Sequence, residues 1–243
     1  SLYTLKGCRK RDYPPTLSPQ QPYWKYNKLV EDYMARMSYL STVGKYAAEL
    51  LVLHPLESEY LERRFGERTG NHDRYFHYYN VLQSLQRNHL DYDLGDEQII
   101  ADDGFIEDGK FCVGEMNYPA VILPYMLTIR QSTIDLLLEY ANSGGKIIVV
   151  GEMPQYVDAV VNKSSLAKLR SIVEIVSLDD LNNFIKSELS AAVRIEGRDS
   201  DKIWIHRRSL DDGGVILLTN TSRLKKADFT VYLEDKDDYK LLD

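Results

Sequence analysis

Three apolar runs constrain the fold of this chain more than anything else in it: AELLVLHPLES (48–58), PAVILPYM (119–126) and KIIVVGEMP (146–154). Each is short, almost free of charge at its centre, and closed by proline or glycine. A strand buried on both faces has this texture, and such strands belong to parallel sheets covered by helices. Between the second and third runs lies QSTIDLLLEYANSGG (131–145). It has an apolar helical face at Ile134, Leu137, Leu138 and Ala141, with Ser132 or Thr133 as the expected N-cap and Gly144-Gly145 as the stop. Strand, helix and strand joined this tightly imply a right-handed crossover. The expected fold class is α/β: an open, mainly parallel sheet with flanking helices.

Further elements extend that layer. NHDRYFHYYNVLQSLQRNHL (71–90) carries a helical stripe, DYDLGDEQII (91–100) reads as a second strand and a loop, and FIEDGKFCVGE (105–115) reads as a hairpin turning at Glu107-Asp108-Gly109. Helix SLAKLRSIV, strand EIVS and helix LDDLNNFIKSEL follow. Past Ala191 the texture changes to alternating strands, VRIEG, KIWIHRRS, GVILLTNTS and ADFTVYLED, with a turn at Asp211 to Gly214. About four strands hardly make two packed sheets, so this part reads as a partial antiparallel β region, cut short. Upstream, residues 26–41 place Leu29, Tyr33, Met37 and Leu40 on one helical face, read as core. Before it, Pro14 and Pro15 favour an extended arm. The expected boundaries are 1–45 for arm and linking helix, 46–190 for the α/β domain and 191–243 for the partial sandwich.

The 243 residues carry a net charge of −7, which argues against a nucleic-acid or membrane-surface partner, and Arg9, Lys10 and Arg11 are too few to form a basic patch. No run approaches a membrane span. Cys8 and Cys112 have neither metal nor redox spacing, and the compartment stays undetermined.

Ligands of open α/β sheets sit beyond the carboxyl ends of the strands. Those ends present Glu57, Ser58, Asp96, Glu97 and Glu152, the candidate lining of a cleft, where paired carboxylates would serve general acid–base chemistry. No nucleophile accompanies them. Cys112 sits inside the expected hairpin rather than on a glycine-flanked elbow. The stretch 91–109 holds eight Asp or Glu and no Lys or Arg, which raises calcium binding, but it lacks the glycine and terminal glutamate of an EF-hand. Neither a metal nor a cofactor is expected.

The order of segments carries a resemblance. GCRKRDYPP and QQPYW, then YMARMSYLSTVGKYAAELLVLHPLES, then YPAVILPYMLTIRQSTIDLLLEYANSGGKIIVVGEMP resemble the region downstream of the catalytic barrel in bacterial glycoside hydrolases. The similarity is to family 106 α-L-rhamnosidases and, more distantly, to family 42 β-galactosidases. It implies a flavodoxin-like domain shaped like a class I glutamine amidotransferase without its active residues, followed by a β-sandwich containing a segment similar to KIWIHRRSLDDGGVILLTNTS. It also implies that the arm leaves a (β/α)8 barrel, that the barrel is this chain's partner, and that the catalytic carboxylates lie there. The chain is then expected to be a non-catalytic accessory region. Two alternatives stand beside it: a carbohydrate-binding module stacking sugar on Tyr23 and Trp24, and a thiol enzyme using Cys112. Carbohydrate and a second copy of the chain are the other partners considered.

Overall fold

A computed structural model of the protein describes residues 19, 21–63, 72–189, 191–233 and 240. The expected arm, with Arg9, Lys10, Arg11, Pro14 and Pro15, and Cys8 with it, lies outside the described residues. Two compact units are distinguished, residues 46–207 with 216–243, and residues 1–45 with 208–215.

The larger unit is built on five parallel strands: β1 (Leu50–Leu53), β2 (Tyr92–Gly95), β3 (Ala120–Leu123), β4 (Lys146–Val150) and β5 (Glu174–Val176). Their spatial order is β5-β4-β3-β1-β2, the flavodoxin order. The helices in chain order are α1 (Asn27–Thr42, in the smaller unit), α2 (Leu56–Glu62), α3 (His72–Arg87), α4 (Glu97–Asp103), α5 (Gln131–Asn142), α6 (Lys163–Arg170) and α7 (Leu181–Glu188).

All four residues of β1 and of β3 are buried. Strand alternation sends them to two cores. Leu51, Leu53, Val121, Leu123, Ile147 and Val149 pack with Ile134, Leu137 and Tyr140 of α5. On the other face Leu50, Val52, Ile122, Ile148 and Val150 meet Val81 and Leu85 of α3 and Leu181 and Ile185 of α7. Polar residues within β1, β3 or β4 would have faced apolar helices on either side, hence the uninterrupted runs.

Two local expectations are corrected. Residues 97–103 form α4 rather than a loop, because Asp96 Oδ1 accepts from the amides of Gln98 (2.8 Å) and Ile99 (3.2 Å) and starts a helix there. Helix α5 begins at Gln131, ahead of Ser132 and Thr133, and no side chain of its own caps it. Its first amides are met from elsewhere: Arg130 N donates to Glu97 Oε1 (2.8 Å) and Gln131 N to Asp158 Oδ1 (3.1 Å). At its far end Gly144 is left-handed (φ +90), and Tyr140 fills the place where a side chain at Gly145 would go, 2.2 Å from an added Cβ.

The expected hairpin is present. Strands Gly104–Glu107 and Lys110–Val113 pair antiparallel around Asp108 and Gly109, both at positive φ as a two-residue primed turn requires. Met116–Tyr118 adds a third strand. After the α/β layer come small antiparallel sheets. Val193–Arg198 pairs with Asp228–Leu233, while Ile203–Leu210 and Gly213–Asn220 are neighbours in a second sheet. Val193, Ile195 and Ile203 are their buried core, with Phe229 and Val231 against it.

In the smaller unit, Arg208 donates to the carbonyls of Thr42 (3.0 Å), Val43 (2.8 Å) and Gly44 (2.6 Å), closing the carboxyl end of α1 with a cation. The apolar stripe of α1 is not core. None of its residues is buried: Leu29 and Tyr33 are 70% and 54% exposed, while Met37 and Leu40 are half-buried.

Candidate functional site

The chain order of the strands reverses between β1 and β3, and the carboxyl ends at such a reversal are where open α/β sheets bind ligands. The sequence-derived candidates occupy this rim, but most are committed to bonds within the fold. Ser58 is fully buried in α2, where its Oγ accepts from the amides of Leu127 (2.9 Å) and Thr128 (3.1 Å) and donates to the Thr128 carbonyl (3.3 Å). It ties α2 to the segment after β3. Glu57 accepts from Arg130 Nε (2.6 Å), and Arg130 also reaches Gln98 Oε1 (2.6 Å). Glu97, 4% exposed, caps α5 through the Arg130 amide. Burial raises its carboxyl above the usual range, against the pull of that amide bond. Asp96 caps α4. Arg130 therefore brings Glu57 and Glu97 together, while Glu152 stands apart and exposed at the end of β4.

A second group on the same rim escaped the sequence reading. His54 follows β1 and stacks on Tyr78 of α3 (centroids 5.6 Å apart); His77 meets the Tyr125 ring edge-on (5.7 Å). Gly151 lets His77 come close, since an added Cβ would lie 2.7 Å from its Nε2. Both ring nitrogens of His77 and the Tyr78 hydroxyl are buried without a hydrogen-bond partner. Burial, with Arg74 nearby, lowers the His77 pKa. The missed signal was the helical stripe of 71–90, which mixes polar tips into an apolar face.

At the amino ends of β1 and β2 lies a cavity of about 200 Å³. Tyr46, Gln86, Leu90, Asp91, Tyr92, Trp204 and Ile205 line it. Asp91 is held by the Tyr46 hydroxyl and by the amides of Tyr92 (3.2 Å) and Arg207 (3.3 Å). Burial raises its carboxyl as well, and the Tyr92 phenol is pushed up to about 12 by burial and then by Asp91. Behind it the Asp91 amide donates to Glu49 (3.0 Å), which pairs with Arg207. His206 stacks on Tyr46 at 4.9 Å, and its Nε2 is buried without a partner.

The acidic stretch is dispersed by the fold. Asp93 accepts from the Tyr118 hydroxyl (2.8 Å) and Asp102 from Gln98 (3.0 and 3.1 Å), and among the described residues no three His, Cys, Asp or Glu side chains converge as metal ligands. Cys112 lies in the middle strand of the three-stranded meander, 5% exposed, where burial holds its thiol above the ordinary range. That is the opposite of an activated nucleophile. In the smaller unit Tyr23 and Trp24, 44% and 38% exposed, stand at a short 3-10 turn.

Comparison with known proteins finds partial matches to larger ones. A protein of Formosa agariphila, named "Putative beta-glucuronidase", is 27% identical over 215 residues, covering 83% of this chain and 16% of that protein. The rhamnosidase of Novosphingobium sp. PP1Y superposes with a TM-score of 0.55 at 16% identity, over 83% of this chain and 20% of the enzyme. The chain is similar to one region of far larger glycoside hydrolases. The exo-carrageenase GH42 of Bacteroides ovatus matches in the same way, with a TM-score of 0.52, 13% identity, and 84% of this chain against 26% of that one. The expected likeness to family 106 and family 42 enzymes is thus met in the fold. No protein-family profile matches the chain.

Proposed function

We propose that this chain is a non-catalytic accessory region of a glycoside hydrolase, bracing its catalytic barrel and shaping one wall of the sugar cleft. One observation carries the reading: at the rim where a flavodoxin-type sheet would present chemistry, Glu57, Ser58, Asp96 and Glu97 are spent on holding helices. A general acid or base must be free to meet substrate, and these groups are held elsewhere. The small share of each larger relative that the chain spans, 16% to 26%, supports the same reading. So does α1, whose exposed Leu29, Val30, Tyr33 and Met34 offer an apolar face for another domain to cover.

The test is turnover by the purified chain on aryl α-L-rhamnosides, β-galactosides and β-glucuronides. No hydrolysis above buffer is expected. Turnover that follows the protein through repurification and is lost in Glu152→Gln would overturn the reading.

A second reading, a carbohydrate-binding module, is favoured by the adjacent exposed rings of Tyr23 and Trp24. It predicts saccharide binding by calorimetry that disappears in Trp24→Ala.

A further inference from the structure

We propose that the cavity at the amino ends of β1 and β2 binds a single neutral pyranose unit, with Trp204 and Asp91 as its two principal contacts. The choice of a sugar rests on the glycoside-hydrolase reading above, whereas the cavity itself does not depend on it.

Size is the first constraint. A volume of about 200 Å³ is on the scale of one sugar ring. Chemistry is the second. A pyranose has an apolar C–H face and a belt of hydroxyls, so it needs an apolar wall opposite a polar one. Among the lining residues Trp204, Leu90 and Ile205 offer apolar surface, and Asp91, Gln86 and Tyr92 offer polar groups.

The polar wall is fixed before any ligand arrives. Gln86 Oε1 accepts from Gln83 (3.0 Å), and its Nε2 donates to the Tyr92 hydroxyl (3.0 Å), leaving the phenolic proton to donate in turn. Asp91 is aligned by Tyr46 and two backbone amides, so one arrangement of acceptors is presented to hydroxyl donors. Pre-set groups of this kind favour affinity because little freedom is lost on binding.

Charge decides between sugar classes. Arg207 is paired with Glu49, so Asp91 sets the sign of the wall. A carboxylate there accepts from neutral hydroxyls and repels uronate or sulfate groups.

The test uses the full chain with Trp24→Phe, so that Trp204 is the only tryptophan left of two. L-rhamnose, D-galactose, D-glucose and D-glucuronate are titrated by calorimetry and by indole emission. Millimolar binding of a neutral sugar, accompanied by a shift in Trp204 emission, is expected. In Trp204→Ala it should weaken by about tenfold or more. Gln86→Leu should weaken it too, and this change leaves the Asp91 bonds intact, so a folded variant is at hand even if Asp91→Asn does not fold. Absence of binding by every neutral sugar overturns the inference. So do glucuronate binding of equal strength, or binding indifferent to Trp204→Ala. A chain that neither binds nor hydrolyses sugar sinks this inference alone, and one that hydrolyses it sinks the accessory reading.

Discussion

Glu62 at the end of α2 holds Arg74 at the start of α3 through two parallel bonds, Nε to Oε2 at 2.9 Å and Nη2 to Oε1 at 2.7 Å. Arg74 is only 4% exposed, and its guanidinium lies 4.0 Å over the Tyr125 ring. A buried ion pair is costly to break from one side, because the remaining charge has no water to turn to. Glu62→Gln should therefore destabilise the protein by about 3 kcal/mol in urea unfolding. Replacing both partners, with Glu62→Leu and Arg74→Met, should lose far less.

Burial holds the Glu97 carboxyl above its ordinary value of 4.5. The folded state therefore binds this proton more tightly than the unfolded chain, and that advantage fades as pH rises from about 4.5 through the folded-state pKa. Glu97→Gln keeps an oxygen for the Arg130 amide and has nothing to ionise. The difference in melting temperature, variant minus wild type, should grow in the variant's favour as pH rises above about 4.5. A constant difference would refute the assignment.

Two adjacent glycines end α5 for different reasons. An added methyl at Gly145 meets the Tyr140 ring at 2.2 Å, whereas at Gly144 it meets nothing within 4 Å but sits at φ +90. Gly144→Ala should cost about 1 to 2 kcal/mol from backbone strain alone. Gly145→Ala should cost about 1 to 3 kcal/mol from overpacking, and Tyr140→Leu should relieve only this second change. Thermal melts of the three single variants and of the two doubles that combine Tyr140→Leu with each alanine read this out.

With Cys8→Ser in place, Cys112 is the only thiol. Its burial and raised pKa predict negligible alkylation by iodoacetamide at neutral pH until denaturant is added. Rapid labelling of the native protein would contradict the buried strand position.

The uncovered face of α1 makes a prediction of its own. Tyr33→Asp and Leu29→Gln should change the stability of this chain by no more than about 0.5 kcal/mol, since neither side chain leaves water on folding. A loss of several kcal/mol by urea unfolding would mean the face is covered.

Where the sequence reading succeeded, it rested on local signals. LLVL and AVIL are apolar at every position because helices cover both sides of β1 and β3, and the Asp108-Gly109 turn announces itself by residue type. Helix α4 was also legible in principle, since Asp96 followed by Glu97 is an ordinary helix start. The cavity was not legible. Asp91 and Trp204 come from distant parts of the chain, and neither is marked by its neighbours.

By itself the sequence determined the parallel α/β layer, because burial on both faces leaves a run of apolar residues that no loop or amphipathic element needs. Only the tertiary structure decided how the polar residues are used. A carboxylate at a strand end reads the same whether it meets a ligand or caps a helix, and the difference is made by a group far away in the chain. For Glu97 that group is the Arg130 amide, and for Ser58 the amides after β3. The same limit explains α1: its stripe of Leu29, Tyr33, Met37 and Leu40 records an apolar face, but what covers that face is not written in its spacing.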